Sequence, residues 1–404
     1  MRIALISEHA SPVAAIAGVD AGGQNVHVAE LAAALHRLGH DVTVYTRRDA
    51  TDLPEAVRTA HGFDVVHVPA GPARQIPKDE LLPYMRPFGQ WLAARWAATR
   101  PPDIVHAHFW MSGVAGEVAT SEVPVPLVQT FHALGSVKRR YQTTADTSPA
   151  VRTDVERHLA LNAAGVIAQC TDEVDELAAL GVPRSKLRIV ASGVDSRRFT
   201  PRGPAIPRNG RLRRVLSAGR LVPRKGFDEL VHALPHLPGT EVVIAGGPAT
   251  GLDTDPEARR LRELAEELGV ADRFRLLGAV AAEQMPRWYR SADVVACTPW
   301  YEPFGLTPLE AMACGVPVVA CAVGGLRDSV VDGATGALVP PRDRTALVDA
   351  LAALLADESR RRQLGAAARL RAVSRYDWSR QAAMVASIYA DLHAEHDVLV
   401  EAPS

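Results

Sequence analysis

The sequence predicts an α/β protein made of two Rossmann-like, doubly wound parallel-sheet domains facing each other across a cleft. Three observations carry that expectation. The chain has 404 residues, more than one ordinary hydrophobic core accommodates. Short runs rich in valine and isoleucine alternate with amphipathic helical stretches along most of its length. The alternation breaks once, at residues 198–211 (RFTPRGPAIPRNGR), where three prolines, two glycines and no periodicity read as a linker.

In the first half the strand candidates are residues 2–7, 42–46, 64–68, 103–107, 126–131, 165–169 and 187–191. They lack strict alternation, as parallel strands covered on both faces do. Helical patterns lie between them, for example over 26–38 and 151–163. Beyond the break the rhythm restarts with candidates at 213–218, 241–245, 273–277, 293–298, 316–320 and 336–339. The domain limits are therefore set at 1–198 and 199–377, with the helical C-terminal stretch, 378–404, packing back on the first domain. In sheets of this kind ligands bind at the carboxyl ends of the strands.

Composition narrows the function. Lys plus Arg number 45 against 46 Asp plus Glu, so no global basic field invites nucleic acid. Lysine is confined to Lys78, Lys138, Lys186 and Lys225, and arginine carries the other positive charge. With abundant alanine, that bias points to a GC-rich, bacterial coding genome. Cys170, Cys297, Cys314 and Cys321 form no CxxC and sit in apolar runs, as reduced, buried thiols do. The N-terminus MRIALISEH enters a strand at once, without a secretory pattern, and no uncharged apolar run has membrane-spanning length. The expected setting is cytoplasmic, with a homodimer as a candidate assembly.

Three constellations carry chemistry. Residues 17–25, AGVDAGGQN, follow the first strand and precede a helix; Gly22 and Gly23 let the backbone approach a phosphate at the helix N-terminus. A purely structural glycine turn would look the same. Neither GxGxxG nor Walker A occurs, which weighs against dehydrogenases and ATPases. Residues 217–226, SAGRLVPRKG, place Arg220 and Lys225 at a strand's carboxyl end, where two cations could neutralise a diphosphate leaving group. A solvated basic loop is the competing reading. Residues 301–315, YEPFGLTPLEAMACG, hold Glu302 in a loop and Glu310 eight positions on. The helix is expected to begin near Thr307 or Pro308, since threonine caps and proline suits the first turn. Taken alone, two glutamates near a helix start are also what dipole complementation produces.

These residues together resemble the retaining, GT-B fold glycosyltransferases of family 4. The E-x7-E element from Glu302 to Glu310 matches the family signature. GGQN at 22–25, FHALG at 131–135 and GRLVPRKG at 219–226 match in the family's order. The likeness spans essentially the whole chain and is similar to the branch that holds sucrose-phosphate synthases and inositol-3-phosphate N-acetylglucosaminyltransferases. It implies an N-terminal acceptor-binding domain and a C-terminal nucleotide-sugar-binding domain. It also implies transfer of a hexose-type sugar from a nucleotide-diphosphate sugar, UDP favoured and GDP open, to a small polar acceptor whose phosphorylation is left open. The donor is a substrate; no tightly bound cofactor and no metal is implied.

The resemblance also assigns roles. Arg220 and Lys225 would bind the donor diphosphate, Glu302 would orient the sugar, and Glu310 would hold the ribose hydroxyls. Gly22 and Gly23 would approach the β-phosphate. Gly305, Leu306 and Thr307 would offer N–H groups at the helix start, and His132 would touch the sugar near the reacting carbon. The nucleotide base would be held by backbone around residues 277–280. Around the acceptor, Asn25, Lys78 and Arg152 match three family positions. Ala133 and Phe109 stand where a threonine and a tyrosine would be, so two hydroxyl donors are gone while both cations remain. Lys138, Arg139 and Arg140 add charge nearby, with a solvated loop as the competing reading.

Two other patterns are weaker. Asp253-Thr254-Asp255 spells a DxD, but in a Gly/Asp-rich loop where capping explains it. His106 and His108 lack any metal-binding companion motif and read as strand-end packing. An epimerase or phosphorylase on the same scaffold, or a silent sugar-nucleotide binder, stays as the alternative.

Overall fold

The computed structural model describes all residues except 10, 13–21, 144–145, 209, 211, 304 and 402–404. Residues 17–21 of the first glycine-rich element and Phe304 thus lie outside the described residues. The chain divides into two compact units, Met1–Ala191 with Trp378–Ser404, and Ser192–Asp377.

The first unit runs β1 (Arg2–Ile6), α1 (Gly23–Arg37), β2 (Asp41–Arg47), β3 (Ala56–Arg58), β4 (Asp64–Val68), α2 (Met85–Ala98) and β5 (Ile104–His108). It continues with α3 (Trp110–Glu122), β6 (Leu127–Thr130), α4 (Gly135–Gln142), α5 (Arg152–Asn162), β7 (Gly165–Ala168), α6 (Thr171–Ala179) and β8 (Leu187–Ile189). Its eight-stranded sheet has the order β3-β4-β2-β1-β5-β6-β7-β8. Only β3 is antiparallel, and no apolar run marks it: its three residues are exposed or half-exposed at the sheet edge.

Successive strand residues serve opposite cores. Ile3 and Leu5 pack with α1, while Ala4 and Ile6 pack with α2 and α3. The last helix of the chain, running Trp378–Glu401, returns to this unit. Its Trp378, Ala382, Val385 and Tyr389 recur at helical spacing and bury against Val28, Leu31, Ala32 and Leu35 of α1.

The second unit runs β9 (Arg213–Ala218), α7 (Phe227–Ala233), β10 (Thr240–Ala245), α8 (Pro256–Glu267), β11 (Phe274–Leu276), α9 (Met285–Ser291) and β12 (Val294–Cys297). Then come α10 (Leu306–Ala313), β13 (Val318–Cys321), α11 (Gly324–Ser329), β14 (Gly336–Val339), α12 (Arg344–Ala356) and α13 (Glu358–Tyr376). The last helix, Trp378–Glu401, is α14. The second sheet is fully parallel, ordered β11-β10-β9-β12-β13-β14. Strand order reverses between β1 and β5 in one sheet and between β9 and β12 in the other. These switch points are where open α/β sheets take their ligands.

The proline-rich stretch expected as a linker is a strap on the second unit, and the division falls after Ala191 instead of after residue 198. Phe199 is buried. Arg369 donates to the Phe199 carbonyl at 2.7 Å, and Arg290 donates to the carbonyls of Thr200 and Pro204 at 3.2 and 2.8 Å. Arginines from α13 and α9 thereby satisfy backbone oxygens that no regular ladder reaches. All four cysteines are reduced and buried. Burial pushes the thiols of Cys314 and Cys321 up to about 12. Among the described residues, no helix is long and apolar enough to cross a membrane.

Candidate active site

At the switch point of the second sheet, residues 219–226 leave β9 and residues 298–305 leave β12. Gly226 brings these loops together: it is left-handed (φ +64), and a Cβ there would stand 2.1 Å from the Thr298 carbonyl oxygen. The Thr298 hydroxyl donates to the Gly226 carbonyl at 2.8 Å. Across this junction the Lys225 ammonium pairs with Glu302 Oε2, both side chains being mostly buried. The Glu302 carbonyl accepts the Gly325 N–H at 2.9 Å. A Cβ on Gly324 would come within 2.2 Å of that same oxygen. Cation–π contacts of Arg342 on Trp300 (4.3 Å) and Arg224 on Tyr301 (5.1 Å) brace the residues just before it. Glu302 is therefore clamped against a cation, and simple dipole complementation does not describe it.

The helix start differs from expectation. α10 begins at Leu306 after Gly305 in the left-handed region (φ +70), so Thr307 is not the cap. The Thr307 hydroxyl instead donates to the Ala218 carbonyl at 3.1 Å, tying α10 to the end of β9. One turn on, the Tyr289 hydroxyl donates to Glu310 Oε2 at 2.6 Å. Burial, reinforced by the Glu310 charge, holds the Tyr289 hydroxyl well above its ordinary range and keeps it a donor. Arg220 is exposed. Residues 277–280 follow β11, where Gly246 donates its N–H to the Gly278 carbonyl at 2.8 Å.

In the first unit, α1 begins at Gly23. The Gly22 N–H donates to Asn25 Oδ1 at 3.2 Å, and Asn25 Nδ2 donates to the Ser11 carbonyl at 3.1 Å, so Asn25 serves the helix start. Gly22 itself is extended (φ −164), and among the described residues a Cβ there would meet nothing within 4 Å. Among the described residues, neither backbone nor packing demands a glycine at position 22.

His132 follows β6 with a left-handed backbone (φ 63), uncommon for a residue with a side chain. Its ring belongs to a buried chain of hydrogen bonds. His108 Nδ1 lies 2.9 Å from His132 Nε2, His132 Nδ1 lies 3.2 Å from Gln169 Oε1, and Gln169 Nε2 lies 3.2 Å from His27 Nδ1. Since an amide oxygen only accepts, His132 carries its proton on Nδ1 and accepts on Nε2 from His108. His106 is fixed in the same way. The Thr130 hydroxyl donates to the Ile167 carbonyl at 2.9 Å, so it accepts from His106 Nε2 at 2.8 Å. The Tyr389 hydroxyl then donates to His106 Nδ1 at 2.6 Å. Burial, aided by neighbouring rings, lowers His108 and His132 well below the usual imidazole range. Burial brings His27 and His106 down to about 3. All four are neutral near pH 7.

The acceptor positions cluster about Arg152. Its Nε donates to Glu156 at 2.7 Å, Nη1 to Ser148 Oγ at 3.0 Å and Nη2 to the Ala133 carbonyl, while its guanidinium lies 5.0 Å from the Phe109 ring. Lys78 is half-buried in a short 3-10 turn, Lys78–Glu80. Lys138 corrects the solvated-loop reading: it lies on α4, is buried, and pairs with Asp146 at 3.0 Å and Ser148 Oγ at 2.9 Å. Arg140 grips Glu176 at 2.6 and 3.0 Å, and Arg139 reaches the Ala150 carbonyl at 3.5 Å.

The weaker patterns resolve structurally. Asp255 caps α8, accepting from the Ala258 N–H at 2.8 Å, and Asp253 pairs with Arg262 at 2.9 Å. No group of three or more His, Cys, Asp or Glu is arranged for a metal among the described residues. The motifs did not disclose Tyr289, Gln169, Gly324 or the buried Glu8. Each gains its meaning from a residue distant in sequence; a glutamate closing the first strand's apolar run was the one available signal.

Residues 21–198 match the family model described as Glycosyltransferase Family 4, and residues 204–371 match Glycosyl transferases group 1. A D-inositol 3-phosphate glycosyltransferase of Xylanimonas cellulosilytica is 39% identical over 406 residues, covering 96% of this chain and 96% of that protein. One of Mycolicibacterium smegmatis is 39% identical over 354 residues, covering 85% and 80%. Among solved structures, the sucrose-phosphate synthase of Thermosynechococcus elongatus superimposes with a TM-score of 0.88 at 31% identity, over 98% of this chain and 99% of that one. The HepE protein of Anabaena in complex with UDP-glucose superimposes at 0.75 with 22% identity, over 97% and 100%, and speaks for the fold alone. Two parallel-sheet units, the glycine-shaped Lys225–Glu302 junction and these likenesses lead to one identification: the chain belongs to glycosyltransferase family 4 and is a GT-B fold enzyme of the glycosyltransferase class.

Proposed function

We propose that this enzyme is a retaining hexosyltransferase. It takes the sugar from a nucleotide-diphosphate sugar, UDP before GDP, and gives it to a small polar acceptor that carries a phosphate. The observation that carries this reading is the Lys225–Glu302 pair held at a sheet switch point. A cation whose partner is a clamped carboxylate can turn to a diphosphate as charge builds on it, while the carboxylate takes hydroxyls of the sugar. Arg220, exposed on the same loop as Lys225, supplies a second cation for the leaving group. Glu310, oriented by Tyr289, accepts the ribose hydroxyls. The N–H groups of Gly305, Leu306 and Thr307 meet the diphosphate at the start of α10.

The first unit contributes the helix start at Gly22 and Gly23, and His132. With both ring nitrogens engaged and the ring neutral, His132 acts as a positioning element of the sugar site and not as an acid or base. Asn25, Lys78, Phe109, Ala133 and Arg152 form the acceptor side. In the retaining step, the acceptor oxygen bonds to the anomeric carbon as the bond to the diphosphate breaks. The departing phosphate oxygen takes the acceptor's proton, so no protein base is needed and positioning does the rest. The acceptor reading draws on the printed names of the relatives, D-inositol 3-phosphate glycosyltransferases.

The test combines a donor screen with product analysis. Thermal shift against UDP, GDP and their sugars identifies the nucleotide through its stabilisation of the folded state. Proton NMR of the product with D-inositol 3-phosphate should show an anomeric configuration equal to the donor's. An inverted product, or nucleoside diphosphate released at the same rate without acceptor, sinks the reading.

A further inference from the structure

Buried arginines in this protein meet carboxylates, with one exception. Arg152 pairs with Glu156 and Arg214 with Glu241, each at 2.7 Å, and Arg361 lies 3.6 Å from Asp293. Arg47, the last residue of β2, is buried too, yet among the described residues its guanidinium meets only backbone carbonyls. Nη1 donates to Arg48 at 3.1 Å and to Pro72 at 2.8 Å, and Nη2 donates to Arg74 at 2.6 Å. Burying a cation away from a counter-charge is costly, and carbonyls offset only part of that. Two of these carbonyls belong to a segment with little else to hold it. None of residues 71–80 is buried, although Ile76 leans on the hydrophobic core.

The same segment begins on a glycine for a reason of shape. Gly71 is left-handed (φ +78), and a Cβ there would stand 2.4 Å from Cδ1 of Tyr84. Tyr84 ends the 3-10 turn Leu82–Tyr84, which follows the turn Lys78–Glu80. The Tyr84 ring thus comes back to the segment's first residue, and residues 71–84 form a loop closed at its neck. Arg47 grips the outgoing arm at residues 72 and 74, and Lys78 stands further along the same loop. Without that grip, a surface loop lacking buried residues would lose conformational freedom each time its lysine met a ligand.

We infer that Arg47 is a positioning residue for acceptor binding: its hold on the Pro72 and Arg74 carbonyls presets the loop 71–84, so that Lys78 meets the acceptor's anionic group already in place. This rests on the reading that Lys78 borders a phosphorylated acceptor. Arg47 itself touches no substrate in this assignment. The cost of its burial falls on the free enzyme, and the gain appears when the acceptor binds.

A double-mutant cycle separates positioning from scaffolding. Arg47→Met keeps the reach of the side chain and removes its donors, and Lys78→Met removes the cation to be placed. Activity would be measured with the donor chosen by thermal shift and with D-inositol 3-phosphate as the acceptor probe. Arg47→Met should raise the acceptor KM about tenfold, the scale of an ordering cost moved into the binding step, with kcat nearly constant. Its nucleotide thermal shift and acceptor-free donor hydrolysis should match wild type. In the Lys78→Met background the same change should raise KM by less than about twofold. Amide hydrogen exchange should quicken over residues 71–84 and not across the rest of the first sheet. Gly71→Ala disturbs the neck and leaves Arg47 in place, so it should reproduce the KM rise and its dependence on Lys78. It carries the test should Arg47→Met not fold. An unchanged acceptor KM in the folded variant, equal losses with and without Lys78, or a parallel loss of nucleotide binding overturns the positioning role while the transferase reading stands. A wild type that binds nucleotide but does not glycosylate the probe overturns the phosphorylated acceptor, and this inference with it. A wild type with no nucleotide shift at all overturns the transferase reading itself.

Discussion

The two units share a parallel, doubly wound design but arm their switch points differently. In the second unit the junction of β9 and β12 is ionic: Lys225 against Glu302, with glycines at 226 and 324 admitting the opposing backbone. In the first unit the region beyond β1, β5 and β6 is dominated by neutral imidazoles locked by hydrogen bonds, and its cations, Lys138 and Arg152, are already matched by Asp146 and Glu156. The difference teaches that one scaffold can be tuned for opposite tasks. A part-buried ion pair can be exchanged for a charged ligand. A buried chain of neutral donors and acceptors fixes direction and cannot respond to charge.

The largest expected effect tests the ionic side. Glu302→Gln should lower kcat by about 10²–10³-fold, the scale of a lost transition-state contact, with the nucleotide thermal shift retained. Steady-state kinetics decide it, and near-wild-type turnover would remove Glu302 from the site.

Next comes acid stability, where the neutral side is exposed. Among the described residues every buried histidine lies in the first unit. The folded pKa values of His27, His106, His108 and His132 lie below the unfolded value, so the unfolded chain binds the extra protons. Stability should therefore be full above about pH 6.5 and fall as pH drops toward about 3, by roughly 1.4 kcal/mol per pH unit for each buried histidine. Glu173 opposes this: burial raises its carboxyl to about 7, so it favours the folded state as pH falls from there toward its ordinary value. Burial raises the Glu156 carboxyl as well, and two carboxyls against four imidazoles leave a net loss. Urea unfolding at a series of pH values measures it, and a flat profile would mean the histidine chain is hydrated.

A smaller effect sharpens the same contrast. Gln169→Leu removes the acceptor that fixes the His132 proton and should cut kcat about tenfold, the worth of one hydrogen bond, without moving the nucleotide thermal shift. If donor binding falls instead, His132 serves the scaffold and not the sugar site. The smallest effect is a control on the DxD sequence. Asp255→Ala should cost about 1 kcal/mol of stability through loss of the α8 cap and leave activity and its response to chelators unchanged.

Much of the fold was legible because it is written in local periodicity. Parallel strands buried on both faces must be continuously apolar, which is why β1, β9 and β12 stood out while the exposed, three-residue β3 did not. The division between units was misplaced because proline and glycine mark an irregular path; whether that path is free or strapped down depends on the arginines of α9 and α13.

The Glu302–Glu310 element was visible because its spacing is short. By itself the sequence determined two α/β units, the order of the motifs, and which residue types stand at the strand ends. Only tertiary structure decided that Lys225 meets Glu302 across 77 positions, that Tyr289 turns Glu310, and that Ser112 closes on Glu8 across 104. The reason is physical. Periodicity records what a residue shares with its chain neighbours. A charge's partner, a histidine's tautomer and a carboxylate's burial depend on side chains that only packing brings within hydrogen-bond reach.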